Sequence, residues 1–123
     1  MRSLILSATL VAALCALGAP ALASNYPVSG KWGPEIAGKK GPIDCKGRVI
    51  GFNGDTRTDS KGGVPGYRLK SLATEGTTFR ITDEFTTGQI RNGSTSYTLR
   101  QTDVDHIELH TQGGTQKLQR CKD

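Results

Sequence analysis

The sequence predicts an all-β protein, a small antiparallel β-barrel or sandwich of about seven to eight short strands closed by one disulfide. Apolar and polar residues alternate over several short segments, and no segment has the apolar spacing of an amphipathic helix. Sequences typical of turns separate these segments, and the chain holds 16 glycines in 123 residues. These two observations indicate strands joined by short turns.

The first 23 residues have the pattern of a signal peptide. Arg2 supplies a positive charge, residues 4–17 are mostly apolar, and Ala21-Leu22-Ala23 is the small-x-small pattern that precedes a cleavage site. The apolar run is shorter than the roughly 20 residues that a transmembrane helix needs. We therefore expect residues 1–23 to be a signal peptide and residues 24–123 to be a single β-barrel domain, periplasmic or secreted, with no membrane span.

Removal of the signal peptide also removes Cys15 and leaves Cys45 and Cys121. Disulfides persist outside the cytoplasm, and this pair lacks the CxxC spacing of zinc or thioredoxin-like sites. If Cys45 lies on the first long strand and Cys121 near the end of the last, the bond ties the two ends of the sheet together. Such a bond would favour a closed barrel, in which no sheet edge is exposed.

The first half of the domain is predicted to contain few strands. The first strand begins at Gly30, and residues 33–42 form an irregular connection because three glycines and two prolines lie there. The shared parity of apolar residues predicts the first long strand over residues 43–49. Asn53-Gly54 is predicted to open a long loop that ends at Pro65.

The second half of the domain alternates more regularly and predicts strands with one buried and one exposed face. Asn92-Gly93 is typical of a type I′ turn and predicts a hairpin over residues 90–99. Gly113-Gly114 predicts the last hairpin. The alternating segments are residues 67–70, 79–85, 97–100 and 106–110, and the last hairpin joins residues 106–110 to residues 115–121.

Ser29-Gly30-Lys31-Trp32 contains a G-x-W motif with the only tryptophan of the chain. At this motif the chain resembles the small exported lipocalin-like β-barrels. The resemblance implies that Gly30 and Trp32 close one end of the barrel. It also implies that Arg120, on the last strand, covers the indole through a cation–π contact.

The resemblance extends to the periplasmic metalloprotease inhibitors, lipocalin-like barrels in which an N-terminal tail precedes the SG-x-W segment and enters the protease cleft. The matching tail here is residues 24–28, for which the sequence indicates no role in the fold, and its candidate recognition residues are Tyr26, Pro27 and Val28. Proline would keep this tail extended, and tyrosine would supply the aromatic contact common in interfaces.

His106, Glu108 and His110 form the one row of candidate metal ligands. Alternate residues of a strand point to the same face, and the outer two lie about 13 Å apart along it. Both histidines therefore cannot reach one metal, and a site would need ligands from a neighbouring strand. We interpret the row as a solvated face and predict neither a metal nor a cofactor.

The function predicted from the sequence is a non-enzymatic exported binding module for a small apolar ligand or an envelope component, such as an envelope protein. The sequence has no nucleophile elbow, no phosphate-binding loop and no pair of catalytic carboxylates. The basic residues behind the net charge of +5 are dispersed, so we expect no nucleic-acid partner. We expect a monomer. The alternative is a periplasmic protease inhibitor that acts through its N-terminal tail, and the sequence leaves open whether the barrel has an internal cavity.

Overall fold

A computed structural model of the protein describes residues 25–123, so the predicted signal peptide lies outside the described residues. Eight antiparallel strands form one closed barrel, and this part of the chain contains no helix. The predicted all-β class is confirmed, as a barrel rather than a sandwich. Over residues 25–123, no helix is long and apolar enough to cross a membrane. The strands are β1 (Gly30–Pro34), β2 (Ile50–Asn53), β3 (Thr56–Asp59), β4 (Tyr67–Glu75), β5 (Thr78–Phe85), β6 (Gly93–Asp103), β7 (His106–Thr111) and β8 (Gly114–Arg120).

Each strand pairs with the next one along the chain, and β1 pairs with β8 to complete the barrel. Because neighbouring strands run in opposite directions, the loops at residues 60–66, 86–92 and 112–113 all lie at one end. We call this end the mouth. The opposite end, where β1 begins and β8 ends, is called the closed end.

The barrel interior is filled by the inward-facing residues of the strands, as alternation requires. Along β5 the burial alternates with the sequence, so that Ile81 is buried and its neighbours are not. The same alternation holds in β6 and β7. The largest fully buried apolar side chains are Trp32, Ile50, Ile81, Leu99 and Ile107.

Two predictions for the first half of the domain are wrong. Residues 43–49 are not a strand, and Ile43 makes only a single parallel bridge to Cys121. The predicted loop from Asn53 to Pro65 contains β3, because Gly54 takes a positive φ of 63° and turns the chain tightly after β2. Periodicity misses β3 because its buried position is held by Arg57 rather than by an apolar residue.

The predicted hairpin turn at Asn92-Gly93 is displaced. Asn92 has a positive φ of 56°, but Gly93 already pairs with Phe85 as the first residue of β6. A Cβ at Gly93 would lie 2.7 Å from the Phe85 ring, so the glycine is needed there for space. In contrast, the hairpin predicted at Gly113-Gly114 is confirmed, since β7 and β8 are joined by residues 112–113.

The predicted disulfide between Cys45 and Cys121 is confirmed, with the two Cα atoms 5.4 Å apart. Cys45 lies in the connection between β1 and β2, however, and not on a strand. A Cβ at Gly33 would lie 2.6 Å from the Cys45 sulfur, so the disulfide packs directly against β1. The bond therefore fastens this connection over the junction of β1 and β8, rather than joining two strands.

We expect the double substitution Cys45→Ala/Cys121→Ala to lower the free energy of unfolding by about 2–5 kcal/mol, because the unfolded chain gains freedom. Urea denaturation followed by circular dichroism measures the change. Reduction of the wild-type protein should have the same effect, and reduction of the double variant should have none. A change below about 0.5 kcal/mol would contradict the expected contribution of this bond.

The connection between β1 and β2 packs across the outer face of β8. The buried side chain of Gln119 donates hydrogen bonds to the carbonyl oxygens of Lys39 (3.0 Å) and Gly41 (2.6 Å), and accepts one from the Ile36 N–H (3.1 Å). These bonds satisfy a buried amide and fix the path of the connection. Arg48, near the end of the connection, lies at the mouth.

Candidate functional site

The mouth of the barrel opens into a cavity of about 250 Å³. Its aromatic walls are Tyr67, Phe85 and Tyr97, contributed by β4, β5 and β6. Its polar side chains include Arg48 and Arg57. The cavity therefore combines flat apolar surfaces with hydrogen-bond donors, which is the usual make-up of a small-molecule site.

A buried carboxylate organises the floor of this cavity. Asp83 has no solvent-exposed surface and accepts three hydrogen bonds from other parts of the chain. The donors are the Arg57 Nε at 2.7 Å, the Tyr26 hydroxyl at 2.8 Å and the Tyr97 hydroxyl at 2.8 Å. Since a buried charge is costly without partners, these three bonds account for the presence of Asp83 in the core.

The ionisation of these groups follows from their surroundings. Burial raises the pKa of Tyr26 and of Tyr97, and the adjacent Asp83 carboxylate raises both further. Both phenols therefore stay protonated and act as donors. Burial acts to lower the pKa of Arg57, but the hydrogen bond and charge of Asp83 help to raise it above its ordinary value. Arg57 is therefore a permanent cation.

The Arg57 guanidinium is held in one orientation. Its central carbon lies 3.8 Å from the centroid of the Tyr67 ring and 5.2 Å from that of Tyr97. Cation–π contacts of this kind and the bond to Asp83 restrict the side chain on three sides. Only Nε is used by Asp83, and within residues 25–123 neither Nη atom has a hydrogen-bond acceptor. The Nη atoms are available to a ligand in the cavity.

A second ion pair lies at the rim of the cavity. Arg48 donates from Nε to Asp59 at 3.0 Å and from Nη1 to Gln116 at 3.1 Å. Burial acts to raise the pKa of Asp59, but the hydrogen bonds from Arg48 and from the Lys61 N–H, together with the charge of Arg48, lower it overall. This pair is internally satisfied, unlike the guanidinium of Arg57.

The closed end of the barrel is filled by side chains. Trp32 is completely buried, and the guanidinium carbon of Arg120 lies 4.4 Å from the centroid of its ring. The Ser29 carbonyl accepts hydrogen bonds from the indole N–H (3.1 Å) and from Arg120 (3.2 Å). Gly30 has a positive φ of 90°, and a Cβ there would lie 3.1 Å from an Arg120 nitrogen. These side chains leave the mouth as the way into the interior.

The N-terminal residues have a role in the fold that the sequence analysis did not expect. Tyr26 and Val28 are buried in the core, and Pro27 is half-buried. The Tyr26 ring packs edge-on against Phe52, with the ring centroids 5.0 Å apart, and its hydroxyl reaches Asp83. The expectation that Tyr26, Pro27 and Val28 have no fold role is wrong. Alternation within strands cannot reveal a side chain inserted from a segment that precedes them.

We expect Tyr26→Phe to lower the free energy of unfolding by about 1–3 kcal/mol, because it removes a donor from the buried Asp83 carboxylate. Tyr67→Phe is the matched control, since the Tyr67 hydroxyl has no hydrogen-bond partner within residues 25–123. Its effect should stay below about 0.5 kcal/mol. Equal effects in urea denaturation would show that the Tyr26 hydroxyl does not stabilise the cluster.

The row of candidate metal ligands lies on the outer face of β7, outside the cavity, and runs from His106 near the closed end to His110 near the mouth. His106 Nδ1 lies 2.7 Å from Asp103, and His110 Nε2 lies 3.4 Å from Glu108. Within the described part of the chain, no three histidine, cysteine or acidic side chains come together as metal ligands. The three residues therefore make local polar contacts on the surface of the barrel.

Asp83 and Arg57 are the central residues that sequence reasoning missed. Asp83 stands in the inward register of β5, between buried Ile81 and half-buried Phe85. A carboxylate at an inward position requires buried donors, and this was the available signal. Arg57 gave no such signal in the sequence, because it lies in a segment predicted to be a loop.

Comparison with protein-family models, curated proteins and solved structures found no match to this chain.

Proposed function

We propose that this protein is a non-enzymatic, exported binding protein that takes a small ligand into the mouth cavity. The observation that carries the proposal is an open cavity with three aromatic walls and a fixed, partly unpaired guanidinium on its floor. The signal-peptide pattern and the disulfide support export to the periplasm or beyond the cell.

The dimensions of the cavity limit the ligand. Its volume of about 250 Å³ is below the ~300–1,000 Å³ of most ligand pockets. The ligand is therefore a small molecule, or the end of a larger envelope component. Because aromatic and charged side chains share the lining, it carries a polar group beside its apolar part.

The side chains that line the cavity are preorganised for binding. The rings of Tyr67 and Phe85 pack edge to face, with centroids 5.5 Å apart, and Tyr67 also supports Arg57. Side chains that are already ordered lose little conformational entropy when a ligand binds. This arrangement favours binding as the function of the mouth.

The alternative, a protease inhibitor acting through its N-terminal tail, is less compatible with the geometry. Tyr26 would have to leave its hydrogen bond with Asp83 and its packing against Phe52 before it could enter a protease cleft. That movement would break the buried cluster on the floor of the cavity. We therefore propose the mouth cavity, rather than the N-terminal tail, as the binding site.

An NMR titration tests the proposed site. We expect small aromatic fragments added to the ¹⁵N-labelled mature protein to shift the amide resonances of Thr95, Thr111 and Gln116, which line the mouth. The indole resonance of Trp32, at the closed end, should stay unchanged. Shifts confined to the outer strand faces, or no shifts with any fragment, would contradict the proposal.

A pair of substitutions on β6 provides the control. Thr95→Phe fills the mouth, because Thr95 lines the cavity, and we expect it to weaken fragment binding at least about tenfold. Ser94→Phe adds the same side chain at the neighbouring exposed position and should leave the affinity unchanged. Equal effects of the two variants would place the binding site elsewhere.

A further inference from the structure

We propose that the ligand of the mouth cavity is a small aromatic acid whose carboxylate binds the two Nη atoms of Arg57. This inference rests on the proposed binding function and specifies the chemistry of the ligand. Three independent features of the floor of the cavity lead to it: the unpaired donors, the distribution of charge and the flat walls.

The Nη donors of Arg57 have no protein acceptor within the described residues, although most of the side chain is buried. Only 8% of the side chain is exposed to solvent, and it lines the cavity. Nε donates to Asp83, and within the described residues neither Nη atom has an acceptor. Within the described residues no fully buried side-chain nitrogen or oxygen lacks a partner, so the unpaired Nη atoms are reached by solvent, through the cavity that Arg57 lines. The two Nη atoms form a planar fork that matches the two oxygens of a carboxylate.

The charge on this side of Arg57 is positive. Asp83 lies on the Nε side, and its negative charge is shared with the hydroxyls of Tyr26 and Tyr97. The positive charge at the Nη side is therefore only partly neutralised, since Asp59, the carboxylate that lines the cavity, is bonded to Arg48. An anion adds charge attraction to the hydrogen bonds, so this side of the guanidinium favours an anion over a neutral acceptor.

The second cation of the mouth does not compete for the same group. Arg48 is already paired with Asp59 and hydrogen-bonded to Gln116. Arg57, in contrast, is pressed against the Tyr67 ring at 3.8 Å, which fixes the plane in which a carboxylate is received. Tyr97 and Phe85 stand beside it as flat walls. An acid with a flat apolar body fits these surfaces.

Benzoate, benzamide and acetophenone form a test set of equal size that differs in charge. Each is titrated into the ¹⁵N-labelled mature protein at constant ionic strength, and the dissociation constant is taken from the mouth amides. We expect benzoate to bind about tenfold more tightly than either neutral probe, since only the carboxylate brings a negative charge and two acceptor oxygens to the guanidinium. The Arg57 Nε–Hε resonance should shift with benzoate.

Two matched double variants identify the guanidinium that binds. Arg57→Gln/Asp83→Asn removes the buried pair without leaving a single charge behind, and should abolish the preference for benzoate. Arg48→Gln/Asp59→Asn removes the pair at the rim in the same way, and should retain the preference. If the first variant does not fold, the Arg57 resonance of the wild-type protein still decides the result.

The outcomes separate this inference from the proposed function. Equal affinity for the three probes at the mouth would overturn the acid preference and leave the binding function intact. A preference lost only in the rim variant would assign the carboxylate to Arg48 and also overturn the inference. Failure of all three probes to shift the mouth amides would contradict the proposed function itself.

Discussion

Replacing Trp32 with alanine should lower the free energy of unfolding by about 3–5 kcal/mol. The indole is completely buried, is the only tryptophan of the chain, and fills the closed end beneath Arg120. Its removal leaves a cavity and takes away the cation–π contact as well. Because small domains are stable by only about 5–15 kcal/mol, this loss is a large part of the total.

Urea denaturation followed by far-ultraviolet circular dichroism measures the effect without tryptophan fluorescence. Ile36→Ala is the control, since this apolar side chain is 43% exposed and should contribute less than about 0.5 kcal/mol. If Trp32→Ala melted within a few degrees of the wild-type protein, the indole would not be what closes the barrel.

We expect Asp83→Ala to destabilise the protein by about 3–5 kcal/mol, because it leaves the buried charge of Arg57 without its partner. It also leaves the hydroxyls of Tyr26 and Tyr97 without an acceptor. The double variant Arg57→Met/Asp83→Ala should cost less than the sum of the two single substitutions, since neither charge then remains unpaired.

The exposed pair of Arg80 and Glu75, 3.9 Å apart, provides the comparison for this second experiment. Glu75→Ala should change the free energy of unfolding by less than about 1 kcal/mol, as is usual for exposed ion pairs. Additive effects at Arg57 and Asp83, measured by urea denaturation, would show that the two residues do not act as a buried pair.

The parts of the fold that could be predicted are those in which apolar residues alternate. β5 and β7 have buried Ile81, Ile107 and Leu109 at alternate positions, and their periodicity identified them. β3 was not predicted because its inward residue is Arg57. A short segment without inward apolar residues has the sequence pattern of a loop. The pairing of Cys45 with Cys121 was predictable, since two cysteines remain, but the loop position of Cys45 was not.

The candidate site was harder to predict because its residues are distant in the sequence. Tyr26, Arg57 and Asp83 come together only through the closure of the barrel, which no local pattern encodes. One local feature did point to the site, namely an acidic residue in the inward register of β5. The N-terminal segment shows the same limit, since Tyr26 is anchored by a residue 57 positions away.

A crystal structure of the protein with benzoate tests the central claim most directly. We expect the carboxylate to lie within hydrogen-bond distance of both Nη atoms of Arg57, with the ring against Tyr67, Phe85 or Tyr97. The 2.7 Å hydrogen bond from Arg57 Nε to Asp83 should persist. A mouth that contains only water while benzoate occupies surface lysines, or an Arg57 whose Nη atoms face away from the cavity, would contradict the account.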